Sequence, residues 1–571
     1  MRLFNDGWTF LKTGLGTGYD DVKQRMGDFK PVDLPHDWLI YDGKNLYEDS
    51  CGWYYKRFGL ADTPLDEKRI FLRFDGVYMD TTIYINGEMQ GDWKYGYSTF
   101  YVDLTPGLVR GENEVLVQVR HQAPNSRWYS GAGIYRNVWI GEYGAAYLVP
   151  DGTYVTQGRC GKDWRLAVRT EVSGQVTADM MVHYILRQGK QQTLDLGRAA
   201  LEKQKSGFGR AENILGMENP KEALWKAGLE TIIERPQLWS LDIPACYQLE
   251  VQLVRGGSVL QTDRLTIGFR TMEFSPQKGF SLNGRQIKVH GVCEHHDLGC
   301  LGAAFHTQAM RRKLQILHGM GVNAIRTSHN MPAPELMELA DEMGFLVLSE
   351  GFDMWERSKM AYDYGRFFPE WAKRDVSSWV RRDRNHPSLM LWSIGNEIYD
   401  THAGGRGQEL TRQLSGYIRE YDPAGNAPVT IGSNYMGGEN ARKCADILKF
   451  AGYNYGERYY SEQHAEHPDW VIYGSETSSI VQSRGVYHFP LRQQILSDED
   501  EQCSSLGNST TSYGARSWEK CIAGDRDAEY SFGQFLWTGF DYIGEPTPYH
   551  TRNSYFGQVD TAGFPKDAYY V

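Results

Sequence analysis

Short apolar runs alternate with helix-like segments in the second half of the chain, and this rhythm limits the fold more than any other feature. Runs such as 345–349, 389–393 and 470–473 have the consecutive apolar residues typical of a parallel strand buried on both faces. Eight such runs in strand–helix alternation predict a closed (β/α)8 TIM barrel. The predicted strands are residues 286–290, 322–326, 345–349, 389–393, 428–431, 448–452, 470–473 and 534–537, with helices predicted at 307–319, 334–344 and 370–384.

The residues before Pro276 show strand patterns without intervening helices. Alternating polar and apolar residues with a turn at Asn86-Gly87 predict an antiparallel β-sandwich for residues 1–145. A second run of alternating strands predicts an immunoglobulin-like β-sandwich for residues 146–272. With the barrel at 273–571, the chain is predicted to have three domains, which suits 571 residues.

The last residues, 564–571, have the pattern of the first turn of the eighth barrel helix. A barrel without that helix leaves an apolar face of its first and eighth strands uncovered, and such a surface is unfavourable in water. We therefore expect the barrel to be truncated in its last helix, with the chain cut from a longer protein or the helix supplied in another way.

Two glutamates, Glu397 and Glu476, each close one of the predicted barrel strands. In a TIM barrel the chemistry is performed where the strands end, at the carboxyl face. Cleavage of a glycosidic bond needs one carboxyl group to protonate the leaving oxygen and a second to attack the anomeric carbon or direct water onto it. The pair therefore favours a glycoside hydrolase, although an ion pair or helix cap for Glu397 stays open, and the second acid could be Glu439, Glu457 or Glu462.

Charge and cysteine content exclude several other classes of protein. A net charge of −11 argues against a nucleic-acid partner, because phosphate binding requires clustered Lys and Arg. The eight cysteines are scattered without a CxxC pair, so neither a zinc site nor a disulfide framework is indicated. The N-terminus carries no apolar signal segment and no run of 18 apolar residues follows, so we expect a cytoplasmic protein with no membrane contact.

Several motifs, spread over essentially the whole chain, resemble those of glycoside hydrolase family 2, and within it those of the β-galactosidases. Residues 323–329 (NAIRTSH) are similar to the first signature of that family, and residues 383–397 (DRNHPSLMLWSIGNE) match the second position by position. Residues 34–38 (LPHDW), 52–54 (GWY) and 131–136 (GAGIYR) are similar to its N-terminal jelly-roll, sugar-binding-like domain. The fifteen-residue signature is specific, whereas each short piece alone is weak.

The resemblance implies a role for individual side chains. It makes Glu397 the acid/base and Glu476 the nucleophile of a retaining, double-displacement mechanism with a covalent glycosyl-enzyme intermediate. We expect Arg326 to keep Glu476 ionised at neutral pH, because a nearby cation lowers the pKa of a carboxyl group. A metal site at the run 295–297 is disfavoured, since adjacent side chains diverge. The residues that the resemblance places around the sugar are Asn396, His295, Asp297, Arg326, His329, Tyr455 and Trp537.

The same resemblance gives expectations about substrate, cofactor and assembly. Family members that act on glucuronides carry an Asn-x-Lys motif after strand eight, and neither residues 541–546 nor 553–557 contain it. A neutral sugar is therefore expected, with terminal β-D-galactosides preferred. The alternatives are a β-glucuronidase or, less favoured, a β-mannosidase of the same family, and a catalytically inactive carbohydrate-binding relative. No cofactor is required, although magnesium or sodium ligated by extra acids near Glu356 stays open, and a homo-oligomer is compatible with the resemblance.

Overall fold

The N-terminal region is a sandwich of two antiparallel sheets. The structure is a computed structural model that describes residues 1–60, 67–189, 192–204, 223–487, 518–547 and 551–571. One sheet has the strand order β1-β10-β5-β8 and the other the order β3-β2-β4-β9-β6-β7. Their inward-facing residues form an aromatic-rich core, with Trp8, Tyr54 and Trp93 almost fully buried. The strands are β1 (Arg2–Leu3), β2 (Trp8–Thr13), β3 (Lys30–Val32), β4 (Ser50–Leu60), β5 (Lys68–Phe74), β6 (Thr81–Ile85), β7 (Glu88–Trp93), β8 (Phe100–Asp103), β9 (Gly111–His121) and β10 (Val138–Gly144), and helix α1 is Tyr19–Lys23.

The middle region is a second sandwich with its own core. Its sheets have the orders β11-β12-β16-β15 and β14-β13-β17-β18. Buried and half-buried residues alternate along β13 up to its last two residues, as expected for a strand with one face on the core. The strands are β11 (Ala146–Cys160), β12 (Asp163–Gly174), β13 (Met180–Gln188), β14 (Gln192–Ala200), β15 (Glu202–Lys203), β16 (Trp225–Ile233), β17 (Tyr247–Arg255) and β18 (Ser258–Ile267), followed by a small sheet of β19 (Met272–Ser275), β20 (Gly279–Leu282) and β21 (Arg285–Ile287).

The third region is a closed barrel of eight parallel strands, which confirms the predicted fold class. Strands β24, β25, β26 and β28 are buried throughout, because helices cover their outer face and side chains fill the inside. The strands are β22 (Val289–Glu294), β23 (Ala324–Thr327), β24 (Leu346–Glu350), β25 (Leu389–Asn396), β26 (Val429–Ser433), β27 (Phe450–Asn454), β28 (Val471–Thr477) and β29 (Gly533–Leu536), and a short pair β30 (Tyr542–Ile543) and β31 (Asn553–Ser554) follows.

Seven helices connect these strands in the described part of the barrel. Helix α3 shows the local signals clearly, since it begins at Pro334 and ends before Gly344 at φ 77°, as expected for a proline start and a glycine stop. The helices are α2 (Thr307–Gly319), α3 (Pro334–Met343), α4 (Phe368–Asp383), α5 (Arg406–Tyr421), α6 (Glu439–Leu448), α7 (Tyr460–Glu466) and α8 (Trp518–Arg526). Single 3-10 turns are Met26–Asp28, Thr105–Gly107, Gly299–Leu301, Tyr364–Arg366, Tyr399–Thr401, Glu457–Tyr459 and Asp567–Tyr570.

The predicted barrel strands agree with the observed ones within a few residues, and the largest difference is in the first. That strand was predicted at 286–290, but it occupies Val289–Glu294, and Arg285–Ile287 instead pairs with β20. After β29 the described residues form the short pair and a final 3-10 turn rather than an α-helix, and a cavity of about 810 Å³ lies beside Val289 and Leu536. The domain boundaries at 145 and 272 stay predictions.

The N-terminal sandwich is bound tightly to the barrel through buried polar contacts. Arg136 is 1% exposed and donates hydrogen bonds to the carbonyl oxygens of Tyr97 (3.0 Å), Met331 (2.9 Å) and Pro332 (3.1 Å). Asp375 of α4 accepts hydrogen bonds from Trp93 Nε1 (3.0 Å) and Ser98 Oγ (2.6 Å). Because Met331 and Pro332 follow the end of β23, these contacts fix one wall of the carboxyl face of the barrel.

Replacing Arg136 with alanine is expected to destabilise the protein by on the order of 3 kcal/mol, because buried carbonyl groups lose their donor and a cavity remains. Urea unfolding followed by fluorescence measures this change. The matched control is Arg57→Ala, since Arg57 is exposed and its ion pair with Glu112 spans 3.5 Å, so its loss should change stability by less than about 0.5 kcal/mol. Equal effects of the two substitutions would contradict the proposed role of Arg136.

Candidate active site

Glu397 and Glu476 lie at the carboxyl face of the barrel, at the ends of its fourth and seventh strands. Glu397 follows the last residue of β25, and Glu476 is the penultimate residue of β28. Both are largely buried, with 8% and 4% of their surface exposed. Both line one cleft of about 500 Å³. The geometry on which the sequence hypothesis depends, two acids facing one cleft, is therefore present.

A single amide nitrogen contacts both carboxyl groups. Asn454 Nδ2, at the end of β27, lies 3.1 Å from Glu397 Oε1 and 3.2 Å from Glu476 Oε2. Contacts of this length to one nitrogen keep the two oxygens within roughly 6 Å of each other, which suits the separation of about 5–5.5 Å between the carboxyl groups of retaining glycosidases. The nearest oxygens of the pair are thus close enough to flank one glycosidic bond.

Arg326 of β23 connects Glu476 to residues at the ends of β24 and β25. Its guanidinium group is fully buried and donates to Glu476 Oε2 (2.9 Å), to Glu350 Oε1 (2.9 Å) and to Asn396 Oδ1 (2.8 Å). Glu350 also accepts from Ser393 Oγ (2.7 Å). A buried guanidinium is stable only when such partners surround it, so this network fixes the position of Glu476 relative to Asn396.

The charge state of Glu476 differs from the sequence expectation. Burial raises the pKa of Glu476 to about 7, and the negative charge of Glu397 raises it as well, while Arg326 and Tyr455 act in the opposite direction. The hydroxyl group of Tyr455 donates a hydrogen bond to Glu476 Oε1. Removal from water and repulsion by Glu397 therefore outweigh the cation, and the Glu476 carboxyl is partly protonated near neutral pH.

Of the other predicted residues, His329, Tyr455 and Trp537 line the cleft. His329 and Trp537 line it as parallel stacked rings with centroids 5.3 Å apart, and His329 Nδ1 lies 2.7 Å from Glu350 Oε1. Asn396 lies behind the acids, where its Nδ2 donates to Asp353 Oδ1 (3.0 Å). Burial lowers the pKa of His329 well below its ordinary value, so its imidazole is neutral.

His295 and Asp297 lie further from the cleft lining. The His295 ring packs on Tyr542 and Trp128, with centroids 4.2 and 4.9 Å away, and neither of its nitrogens has a hydrogen-bond partner in the described structure. Asp297 accepts a hydrogen bond from the backbone N–H of Gly299 (3.3 Å) and is not among the residues that line the cleft. Their contact with sugar stays a prediction.

Sequence reasoning missed a charged group on the cleft wall that comes from the N-terminal sandwich. Arg127 precedes β10 by eleven residues, and its guanidinium lies 3.5 Å from Glu397 Oε2, 3.0 Å from Asp353 Oδ1 and 3.8 Å from Glu545 Oε1. Glu545, which follows β30, also accepts from the Tyr542 hydroxyl (2.6 Å). No local pattern marks these residues, because they meet only after the two domains have packed together.

Asp353 is the counter-ion that holds this wall in place. Although burial raises the pKa of a carboxyl group, Arg127 and Lys359 lower the pKa of Asp353 below its ordinary value. Lys359 Nζ donates to Asp353 Oδ1 (2.8 Å) and to the carbonyl oxygen of Asn396 (3.0 Å). An ionised Asp353 therefore links the sandwich arginine to the strand that carries Glu397.

The other acids considered from sequence lie elsewhere. Glu439 is exposed on α6 and pairs with Lys443 (2.6 Å), and Glu462 is exposed on α7. Glu457 is in the 3-10 turn before α7 and does not line the cleft. Glu356 forms an ion pair with Arg406, with Nε 2.9 Å from Oε2. Of the acids weighed as the second carboxylate, Glu476 is the one that faces Glu397.

Two further features concern metals and membranes. Among the described residues, no group of three or more His, Cys, Asp or Glu side chains has the arrangement of a metal site. In the described part of the chain, no helix combines the length and the apolar character needed to cross a membrane.

Family models match the chain in three consecutive segments. The "Glycosyl hydrolases family 2, sugar binding domain" model matches residues 34–142 and the "Glycosyl hydrolases family 2" model matches residues 151–270. The "Glycosyl hydrolases family 2, TIM barrel domain" model matches residues 276–471. The order of the three matches follows the order of the two sandwiches and the barrel.

Named relatives are similar to the chain over its whole length. β-Galactosidase BoGH2A of Bacteroides ovatus is 38% identical over 100% of this chain and 71% of its own. A putative β-glucuronidase of Formosa agariphila is 30% identical over 99% of this chain, which spans only 55% of that relative. The crystal structure of a β-glycosidase from Bacteroides vulgatus superposes with a TM-score of 0.84 at 30% identity, covering 100% of this chain and 74% of that structure.

Replacing Glu476 with glutamine is expected to stabilise the folded protein at high pH. The pKa of this carboxyl is raised from 4.5 to about 7 by folding, so its favourable contribution is complete below about pH 4.5 and is lost as the pH rises through 7. The variant should therefore exceed wild type by on the order of 2 kcal/mol at pH 8. The difference should shrink steadily towards pH 5. Unfolding midpoints measured across this range test the expectation, and a gap that is constant with pH would contradict it.

Proposed function

The chain belongs to glycoside hydrolase family 2 and is a glycosidase, and from this premise we propose that it cleaves terminal β-D-galactosides with retention of configuration. The observation that carries the proposal is the contact of one amide nitrogen, Asn454 Nδ2, with both Glu397 and Glu476. Two carboxyl groups this close favour a nucleophile and an acid over an acid and a water-directing base.

In the first step Glu397 is the acid and Glu476 is the nucleophile. Glu397 gives its proton to the glycosidic oxygen while a carboxylate oxygen of Glu476 attacks the anomeric carbon, so the bond to the leaving group breaks and an ester bond forms. Arg326 and Tyr455 hold the two oxygens of Glu476, which fixes the attacking group in a near-attack geometry. For this step the proton must be on Glu397 and the Glu476 carboxyl must be ionised.

In the second step the roles of acid and base reverse. Glu397, now a carboxylate, takes a proton from water, and the resulting oxygen attacks the anomeric carbon and breaks the ester to Glu476. Arg127, 3.5 Å from Glu397 Oε2, stabilises the negative form of Glu397 that exists between the two steps. The products are the free sugar and the alcohol that left first.

The charges of Arg127 and Glu545 on the cleft wall favour a neutral sugar as the substrate. The charge of Arg127 is already shared among Asp353, Glu397 and Glu545, so a sugar carboxylate would meet Glu545 without a free cation beside it. Hydroxyl groups suit this wall better, because they can donate to the carboxylate and accept from the guanidinium. The named β-galactosidase relative supports the same sugar.

The exposed Arg458 is the one observation that favours a substrate whose sugar carries a carboxylate. This residue lines the cleft and donates to the carbonyl oxygen of Tyr455 (3.1 Å), and the Formosa relative is named a putative β-glucuronidase. A β-glucuronidase is therefore the second candidate. Both acids and their supporting residues are present, which argues against an inactive carbohydrate-binding relative.

Removal of each acid followed by rescue with azide tests the two roles. In Glu397→Ala the ester forms from a reactive aryl β-galactoside but water attacks slowly, so azide, which needs no deprotonation, should raise turnover at least about tenfold. The product should be β-galactosyl azide. In Glu476→Ala azide replaces the nucleophile itself and should give α-galactosyl azide. NMR of the products distinguishes the α- and β-galactosyl azides. Glu439→Ala is the control and should behave as wild type. The same anomer from both variants would refute the assignment of the two roles.

A substrate comparison tests the sugar. Because Glu545 and both cleft acids repel a second carboxylate, the wild-type kcat/KM for an aryl β-galactoside should exceed that for the matching β-glucuronide by at least about 100-fold, or roughly 3 kcal/mol. Initial rates with the same aryl leaving group measure this ratio. A preference for the glucuronide that disappears in Arg458→Gln would favour the second candidate instead.

A further inference from the structure

Three aromatic side chains form a ladder on the carboxyl face of the barrel. The ring centroid of His402 lies 5.7 Å from that of Tyr399 and 4.8 Å from that of Tyr435, and the last pair is inclined by 35°. Tyr399 and Tyr435 are 46% and 53% exposed. Large apolar faces that are exposed next to one another often mark a binding surface. We call Tyr399, His402 and Tyr435 the aromatic ladder.

The ladder lies beside the proposed acid. Tyr399 is two residues after Glu397, in the 3-10 turn that follows β25, and Tyr435 follows β26, next to Asn434, which lines the cleft. The negative charge of Glu397 acts on the His402 imidazole, although burial lowers the pKa of that histidine overall. Strands β25 and β26 are neighbours in the barrel, so the ladder continues the Glu397 side of the cleft outward.

The backbone around Tyr435 is shaped to hold its ring. A Cβ atom at Gly438 would lie 2.6 Å from carbon atoms of the Tyr435 ring, so a larger residue at this position would force the ring to shift. His402 Nε2 is buried and has no hydrogen-bond partner in the described structure. His402 and Tyr435 therefore pack closely against each other, while Tyr399 and Tyr435 keep exposed surface that a ligand can contact.

We propose that the aromatic ladder is the binding platform for the leaving group of the substrate, and that it selects leaving groups with a flat ring face, either an aryl group or a second sugar. The inference rests on the proposed function, because the leaving group departs towards the acid that protonates it. Tyr399 is two residues after Glu397 and Tyr435 is next to Asn434 of the cleft lining, so a group attached to the glycosidic oxygen would extend towards the rings. Aromatic faces are electron-rich and attract the C–H edge of a sugar or of another ring.

Substrates with one sugar and three leaving groups test this platform. Tyr399→Ala, Tyr435→Ala and the double variant are compared with wild type on phenyl β-galactoside, galactosyl-β-1,4-glucose and trifluoroethyl β-galactoside. In a two-step reaction kcat/KM reports only the events up to departure of the leaving group. We expect each substitution to lower kcat/KM by about three- to tenfold for the two ring-shaped leaving groups, with less than about twofold change for trifluoroethyl.

The control is Tyr570→Ala, a substitution of a 76% exposed tyrosine that packs on Tyr569 near the chain end. This substitution should leave kcat/KM unchanged for all three substrates. Equal losses on all three substrates, or no loss on the ring-shaped ones, would overturn the platform while the proposed function stands. Wild-type protein that cleaves none of the three galactosides would instead refute the proposed function, and the inference with it.

Discussion

The buried guanidinium of Arg326 organises the centre of the molecule. It touches groups on the third, fourth and seventh barrel strands at 2.8 to 2.9 Å, and a charge in this position is tolerated only because carboxylate and amide oxygens surround it. The strands that carry those oxygens must therefore end at matching heights. Glu350 accepts further hydrogen bonds from the arginine, and the pKa of Glu476 is raised because burial and the charge of Glu397 outweigh its direct ion pair.

The cleft belongs to two domains rather than to the barrel alone. Arg127 reaches Glu397 from the N-terminal sandwich, and Arg136 of the same sandwich holds the loop that follows His329. Asp353 and Lys359 connect these contributions to the strand that carries the proposed acid. The outer wall of the cleft and its charge are thus set by how the sandwich packs, while the barrel supplies the reacting carboxyl groups.

The sequence predicted the features that depend on local pattern. Short apolar runs located the barrel strands because burial on both faces dictates composition, and the placement of Glu397 and Glu476 at strand ends followed from them. The first strand was misplaced because Gln286 and Ile287 are equally suited to a short antiparallel pairing with β20. Arg127, Asp353 and Glu545 could not be found, since they are 192 to 418 residues apart in the chain and meet only through tertiary packing. The raised pKa of Glu476 likewise depends on total burial, which pairwise reasoning from Arg326 did not include.

The contribution of Arg127 has a consequence for biosynthesis. The ribosome completes the sandwich that contains Arg127 long before it reaches Glu545, the partner on the opposite side of the same wall. Nascent chains therefore acquire every strand up to β29 while still lacking a finished sugar pocket. The cleft wall should therefore be complete only after the segment that follows the eighth strand has been synthesised and packs against the sandwich.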